Sequence, residues 1–161
     1  MYTHVSTDYI CPLCLAVKGI ESTATLMKQA DIFFKDDLVL AAVNSKFFIK
    51  VPGHVIIIPK QHYENIYKMP EKTLNRISVV SQKMALLLKN VRHCDGITMI
   101  QNNEPASGQH AFHYHLHIIP RFNNDGLIES KLKTKVVTPE ERIPYANALK
   151  KGSTLFTLGC S

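Results

Sequence analysis

This sequence lacks any uninterrupted apolar run that approaches the roughly 18 residues needed to cross a bilayer. Its opening stretch, MYTHVSTDYI, also lacks the basic region and the apolar region of a secretory signal peptide. Both absences argue against a membrane partner and against secretion. We therefore expect a cytoplasmic protein.

Glycine and proline are scarce, with seven and eight residues among 161. With 45% apolar and 20% charged residues, the composition is that of a folded globular protein without long disordered segments. A chain of this length buries roughly 70% of its extended surface, which is enough for a single core. We therefore predict one domain over residues 1–161, with residues 1–9 as a flexible N-terminal arm.

Cysteine is too infrequent for a disulfide scaffold, because the chain holds only four, at positions 11, 14, 94 and 160. Cys11 and Cys14 are separated by two residues, a spacing that suits metal binding or redox chemistry. Redox pairs of this kind usually belong to βαβ units, which the sequence does not indicate. For Cys94 we expect buried packing, and for Cys160 a mobile tail.

The net charge of +6 and the isoelectric point near 9.2 favour an anionic partner, which could be a nucleotide, a polynucleotide or an acidic membrane surface. Much of the excess lies between Gly126 and Gly152, where six basic residues face three glutamates. The basic residues are Lys131, Lys133, Lys135, Arg142, Lys150 and Lys151. The simplest interpretation of this segment is a solvated charged face.

Short β-branched or aromatic runs bounded by turn residues predict antiparallel strands in DIFFKDDLVLAAV, KFFIKVPGHVIIIP and GITMIQNN. From Pro70 to about His93, apolar residues recur every three or four positions, which predicts a long helix with Pro70 in its first turn. Residues 138–141 have the form of a capping box and predict a short late helix that Pro144 interrupts or shifts. The order of elements favours an α+β sheet with helices on one side.

The stretch FHYHLHIIPRF at 112–122 predicts a further strand, in which His113, His115 and His117 occupy alternate positions. Residues two apart in a strand share a face, so three imidazoles project together while the apolar residues between them project to the other side. Side chains that project in parallel do not converge on one point, so the three histidines could bind one metal ion only with ligands from elsewhere in the chain. A neutral central imidazole that attacks phosphorus, with neighbours that donate hydrogen bonds, fits the pattern better.

The segment His113-Tyr-His115-Leu-His117-Ile-Ile resembles the signature of the histidine triad (HIT) superfamily, whose members are nucleotide hydrolases and transferases acting at α-phosphates. CPLC near the N-terminus, PGHVIIIPKQH at 52–62 and GQHAFHYHLHIIPR at 108–121 occur in the family's order. The resemblance covers about residues 8–122 and lapses over a divergent C-terminal segment, 123–161. It implies a five-stranded antiparallel sheet with two main helices, extended across a homodimer.

The resemblance also implies a mechanism. His115 would attack the α-phosphate of a purine nucleoside phosphoramidate, an acyl adenylate or a dinucleoside polyphosphate, and water would hydrolyse the covalent nucleotidyl-histidine. His117 would contact the phosphate, and His113 would orient the nucleophile. Asn102 occupies the position of an amide that binds near the nucleophile or the phosphate in relatives.

Further nucleotide-binding residues follow from the same resemblance. Gly108 and Gln109 match a Gly-Gln pair that lines the phosphate pocket. His110 departs from the serine or threonine of many relatives, which puts the leaving group in doubt. His54 matches a histidine that supports the triad, although a buried strand-end histidine is the alternative. Asn44 matches a residue that holds the ribose hydroxyls, but it lies ten residues before His54 where eight is common.

A structural zinc site is implied by relatives that carry the N-terminal cysteine pair. In these relatives a histidine of the PKQH segment and the first triad histidine complete a tetrahedral site. The matching residues here are Cys11, Cys14, His62 and His113. Unligated thiols are the alternative for the cysteine pair.

Two other functions compete with hydrolysis. A zinc-stabilised nucleotide-binding or signalling module would use the same pocket with only incidental turnover. A nucleic-acid-binding protein would use the basic C-terminal segment, but no aromatic interleaving or nucleic-acid motif supports it. A purine nucleotide is therefore the favoured partner.

Overall fold

A computed structural model describes residues 3–127 and 134–157 and shows a five-stranded antiparallel sheet. Its spatial order is β1-β2-β4-β6-β5. The strands are β1 (Ile32–Lys35), β2 (Val39–Val43), β4 (Val55–Pro59), β5 (Gly96–Ile100) and β6 (Leu116–Arg121). A second, two-stranded sheet pairs β3 (Lys46–Phe48) with β7 (Thr134–Val136). The predicted α+β fold with a five-stranded antiparallel sheet is confirmed.

The helices are α1 (Pro12–Val17), α2 (Glu71–Arg92) and α3 (Pro139–Thr157), so α2 and α3 are the two main ones. The periodic apolar residues of α2 bury one face against the sheet, with Ile77, Val80, Met84, Leu87 and Leu88 in the core. Pro70 is the N-cap of α2, one position earlier than predicted. His93 ends the helix in the left-handed conformation, with φ of 48°.

The late helix is longer than its sequence suggested. Thr138 and Glu141 form the predicted capping box, in which each side chain accepts a hydrogen bond from the other residue's backbone N–H, at 3.3 and 2.8 Å. The prediction of a short helix was wrong, because α3 continues through Pro144 for 19 residues. Ala146 and Leu149 anchor it in the main core, and this packing compensates for the hydrogen bond that proline cannot donate.

The basic C-terminal segment is only partly a solvated face. Arg142 is 1% exposed, and its Nε donates to Oδ1 of Asp31 at 2.9 Å, so the expectation of a solvated residue was wrong at this position. Lys135 is exposed and pairs with Glu141, as expected of a surface residue. Lys131, Lys133 and Cys160 lie outside the described residues. Cys94 is buried, as predicted.

The two faces of the main sheet have different roles. Ile57 pairs with Leu116 and Val55 with Ile118, and these side chains pack toward α2. Ile56 pairs with His117, so that histidine projects from the opposite face. This second face is covered by a smaller apolar cluster that includes α1 and Cys11. Within the described residues, no helix is both long enough and apolar enough to span a bilayer.

Candidate functional site

The triad segment is extended only in part. β6 begins at Leu116, so His117 lies in the strand, and the prediction of a strand from residue 112 was wrong at its start. The preceding backbone is held by other groups: the Tyr114 N–H donates to the carbonyl of Tyr63 at 2.6 Å. The alternation of side chains survives, since Tyr114 and Leu116 face the core around α2.

His115 has the geometry of a nucleophile. Its Nδ1 lies 2.7 Å from the backbone carbonyl oxygen of His113, and a carbonyl can only accept, so Nδ1 carries the proton. Burial lowers the pKa of His115, which keeps the ring neutral near pH 7. In this neutral tautomer Nε2 holds an unshared electron pair, as attack on phosphorus requires.

His117 and His54 extend the imidazole cluster across two strands. The rings of His115 and His117 lie 4.9 Å apart, and those of His117 and His54 lie 5.4 Å apart. Nδ1 of His117 is 3.3 Å from Nε2 of His54, which in turn lies 2.7 Å from the side-chain nitrogen of Asn44. Burial lowers the pKa of His54 to about 3 and holds the pKa of His117 well below 6.5. These rings are therefore neutral at pH 7.

Sequence reasoning missed the bond between Asn44 and His54. The side chain predicted to hold ribose contacts a histidine that was considered separately. The two residues flank the β3 segment and its turn, and the backbone N–H of Asn44 also donates to the carbonyl of His54 at 3.0 Å. No local pattern in the sequence signals this closure, because it depends on how the nine intervening residues fold back.

The 102–110 loop lies beside the triad. Gly108 adopts φ of +88°, a conformation that residues with a side chain rarely adopt, and the Asn102 side-chain nitrogen lies 3.9 Å from the position that a Cβ would occupy there. Gln109 is 3% exposed. Its Oε1 accepts from the Glu104 N–H at 2.7 Å, and its Nε2 donates to the Glu64 carbonyl at 2.6 Å. The Gln109 side chain thus holds the loop together.

His110 is exposed at the end of this loop. It is near enough to His115 that a positive charge on its ring lowers the pKa of His115. His110 therefore lies within electrostatic reach of His115.

The four predicted metal ligands come together. Each of Cys11, Cys14, His62 and His113 offers one donor atom, and all four atoms lie within 4.8 Å of one another. Sγ of Cys14 is 3.3 Å from Nδ1 of His62 and 3.4 Å from Nδ1 of His113. Zinc bonds of about 2.3 Å to sulfur and 2.0–2.1 Å to nitrogen require tetrahedral N-to-S separations of about 3.5 Å. The cluster fits a zinc ion.

The protonation chemistry of the cluster also favours a cation. Burial raises the pKa of Cys14 to about 12 and lowers the pKa of His113 to about 4. Without a cation, Cys14 is therefore a neutral thiol at pH 7, and the thiolate form needs the compensating charge that a bound metal would supply. Nε2 of His113 donates to the Pro59 carbonyl at 2.9 Å, so its Nδ1 is unprotonated and free to bind metal.

His113 joins the metal cluster to the triad. Its ring nitrogen faces the cysteines, its other nitrogen is held by β4, and its carbonyl accepts from His115. A metal ion bound here would fix the residue whose carbonyl sets the tautomer of His115.

Known proteins resemble this chain in sequence and in fold. The chain matches the HIT domain family over residues 25–124. An uncharacterized HIT-like protein of Saccharolobus solfataricus is 30% identical over 116 residues, which cover 72% of this chain and 77% of the relative. A bis(5'-adenosyl)-triphosphatase of Dictyostelium discoideum is 28% identical over 130 residues, covering 81% and 86%. A zinc-bound histidine triad family protein of Mycobacterium smegmatis superposes with a TM-score of 0.72 at 27% identity, over 92% of this chain and 96% of that one.

Proposed function

The chain belongs to the HIT domain family, and from this premise we propose that it is a nucleotide hydrolase acting at the α-phosphate of a purine nucleotide. The substrate class is a nucleoside phosphoramidate, an acyl adenylate or a dinucleoside polyphosphate. A relative that is a bis(5'-adenosyl)-triphosphatase supports this class. The observation that carries the proposal is the 2.7 Å contact from Nδ1 of His115 to the His113 carbonyl, because it leaves Nε2 free to attack.

The reaction proceeds in two displacements. In the first, Nε2 of His115 forms a bond to the α-phosphorus as the bond from phosphorus to the leaving nitrogen or oxygen breaks. The leaving group departs with the bonding electrons and takes a proton. In the second, a water oxygen attacks the same phosphorus and gives a proton to the group that protonated the leaving group. The phosphorus–nitrogen bond to His115 breaks, and the nucleoside monophosphate leaves.

His117 stabilises the charge that develops on the phosphate oxygens, with His54 and Asn44 behind it. Hydrogen-bond donors in such positions typically contribute on the order of 10² to 10⁴ in rate. Asn102 and the backbone of Gly108 and Gln109 complete the phosphate pocket.

His110 would protonate the leaving group. It lies exposed at the end of the 102–110 loop, within electrostatic reach of His115. Many relatives have a serine or threonine hydroxyl at this position. The imidazole of His110 would be the proton donor in its place, and this difference affects which leaving group is preferred.

A structural zinc ion belongs to this proposal. Cys11, Cys14, His62 and His113 would hold it, and it would supply electrostatic compensation for the thiolates and rigidity around His113. All four ligands come from the protein, so the ion has no open position for substrate. Assembly into a homodimer, a cytoplasmic location and a single domain over 1–161 remain predictions.

The test is turnover by wild-type protein and two histidine variants, measured on a phosphoramidate, an acyl adenylate and a diadenosine polyphosphate. His115→Ala is expected to abolish hydrolysis and the covalent nucleotidyl adduct detected by mass spectrometry after acid-free quenching. The matched control is His93→Asn. His93 is exposed at the C-cap of α2, outside the histidine triad, and asparagine tolerates its left-handed backbone conformation. Equal turnover by wild type and His115→Ala would rule out the assigned nucleophile.

The same panel separates the alternative function. A nucleotide-binding or signalling module would retain nucleotide affinity in both proteins, form no adduct and release no product above background.

A further inference from the structure

Glu104 adopts a backbone conformation that is almost confined to glycine, with φ of 71° and ψ of 160°. It lies in the 102–110 loop, between Asn102 and the Gly108–Gln109 pair. A residue with a Cβ stays in this region only when surrounding contacts hold it there. The contacts around Glu104 therefore show what fixes the conformation of the loop.

Glu104 is held through both its main chain and its side chain. Its backbone N–H donates to Oε1 of Gln109 at 2.7 Å, and its carbonyl accepts from the Gln109 N–H at 3.2 Å. Its carboxylate accepts from the Tyr67 hydroxyl at 2.7 Å and from Nε2 of His4 at 2.9 Å. These two side-chain bonds lower the pKa of the Glu104 carboxyl, which keeps it ionised.

His4 brings the N-terminal arm onto the loop. Its backbone N–H donates to Oε1 of Glu64 at 2.8 Å, and its ring stacks on Phe112 with centroids 6.1 Å apart. Farther along the arm, the Tyr9 hydroxyl accepts from the Phe112 N–H at 3.1 Å. The described part of the arm, residues 3–9, thus runs from the loop to the residue that precedes His113.

We propose that His4, Tyr67 and Glu104 are positioning residues for the reaction, and that the N-terminal arm fixes the 102–110 loop in the conformation that receives the substrate phosphate. This inference rests on the proposed function, because the loop matters for turnover only if it binds phosphate. None of the three residues touches the reacting atoms; each acts through the loop backbone. A displaced loop would misplace Asn102 and His110 relative to the triad.

The positioning role is separable from stability. The side chains of His4 and Glu104 are 33% and 26% exposed, and ion pairs this open to water contribute little to the free energy of unfolding. Replacing either residue should therefore leave the protein folded and zinc-bound. A loss of turnover in such a variant would then result from a displaced loop and not from unfolding.

The experiment compares His4→Ala, His4→Gln and Glu104→Gly with wild type. Glutamine retains an N–H donor for the carboxylate, whereas alanine removes it. Glycine accepts the φ of 71° without strain but has no carboxylate. The control is Lys28→Ala, which removes an exposed ion pair with Glu21 on another part of the chain. Hydrogen exchange of the amides of residues 103–110, thermal midpoint, zinc content, kcat and KM are measured for each protein.

We expect His4→Ala and Glu104→Gly to exchange faster in the loop and to lose roughly 10- to 100-fold in kcat/KM, with unchanged thermal midpoint and zinc content. His4→Gln should recover most of both effects, and Lys28→Ala should match wild type. Unchanged loop exchange in His4→Ala overturns the positioning role whatever the kinetics are. A second outcome separates the two proposals. If His4→Ala speeds loop exchange but the wild-type protein hydrolyses none of the substrates, the contact between arm and loop is supported and the proposed function is refuted.

Discussion

The side-chain amide of Asn44 lies 2.7 Å from Nε2 of His54, and the same nitrogen is 3.3 Å from Nδ1 of His117. Nδ1 of His54 is buried and has no hydrogen-bond partner among the described residues. If Asn44 donated to Nε2, this Nδ1 would carry a buried proton with no acceptor. A buried unpaired N–H is rarer than a buried unpaired acceptor. We infer that Nε2 of His54 carries the proton and that the Asn44 oxygen accepts it.

This arrangement predicts opposite tautomers for two triad histidines. The proton on Nε2 of His54 leaves no room for a second one on Nδ1 of His117, which lies 3.3 Å away, so His117 carries its proton on Nε2. His115 carries its proton on Nδ1, because that atom faces a carbonyl. Nitrogen-15 chemical shifts of the imidazoles at pH 7.5 measure both assignments. Detection of the Nδ1–H form at His117 would contradict the inferred proton arrangement.

Asn44→Ala tests whether this residue acts on ribose or on His54. Because its side chain contacts the histidine pair, we expect kcat to fall by roughly tenfold or more while KM changes less. Asn75→Ala, on the exposed side of α2, is the matched control and should leave both constants unchanged. A rise in KM with constant kcat would assign Asn44 to ribose binding, as the family resemblance implies.

Local patterns in the sequence predicted those elements that local interactions determine. The 3.6-residue period of α2 and the capping box at Thr138 and Glu141 depend on neighbours within a few positions, and both are confirmed. The pairing of β3 with β7 and the burial of Arg142 against Asp31 join residues far apart in the chain. Charge counting placed Arg142 on the surface, because nothing near it in sequence reveals a partner 111 positions away.

The candidate site shows the same division. The alternating histidines and the Cys-x-x-Cys spacing pointed to the two clusters. Their connection through the His113 carbonyl and the fixation of the loop by His4 depend on the tertiary fold.

Cys14→Ser should weaken zinc binding and destabilise the fold. Wild-type protein purified without added metal is expected to contain about one zinc ion per chain. At zinc activities a hundredfold above the dissociation constant, binding to the folded state adds about 2.7 kcal/mol to stability, and the variant should lose most of this. Elemental analysis and urea unfolding with and without a chelator measure the two effects. Cys94→Ala, at a buried cysteine outside the cluster, should keep its metal; equal zinc loss in both variants would refute the site.

Stability should fall as the pH decreases from about 7.5 to about 5. His54 is buried and His115 and His117 are partly buried. Their pKa values are lowered in the folded protein, whereas the unfolded chain protonates them near pH 6.5. Above pH 6.5, the three histidines are neutral in both states and their contribution to the unfolding free energy is fully present. Below it, the unfolded state binds more protons, and each histidine removes about 1.4 kcal/mol of stability per pH unit until its folded-state pKa is reached.

Urea unfolding in chelator at several pH values measures this slope. His54→Phe should reduce it, because one buried imidazole with a pKa of about 3 is removed. An unchanged slope in this variant would show that His54 is not neutral in the folded protein.

The buried pair of Arg142 and Asp31 should be a major contact between α3 and the rest of the domain. Both side chains are 2% exposed, and the guanidinium also donates to the carbonyls of Val137 and Leu26 at 2.7 and 3.0 Å. Arg142→Met leaves a buried carboxylate without its charge partner and should cost about 3–5 kcal/mol of unfolding free energy. Asp31→Asn combined with Arg142→Met should cost less than the sum of the single changes, since neither charge is then left alone.

The matched comparison is Arg76→Met, which breaks the more open pair with Asp36, where the arginine side chain is 33% exposed. That change should cost at most about 1 kcal/mol, because water solvates the remaining carboxylate. Urea unfolding of wild type, Arg142→Met, Asp31→Asn, the double variant and Arg76→Met gives the differences in unfolding free energy. An Arg142→Met variant no less stable than Arg76→Met would contradict this prediction. The Asp31 carboxylate would then be hydrated or protonated once its partner is lost, and only apolar contacts would hold α3 against the domain.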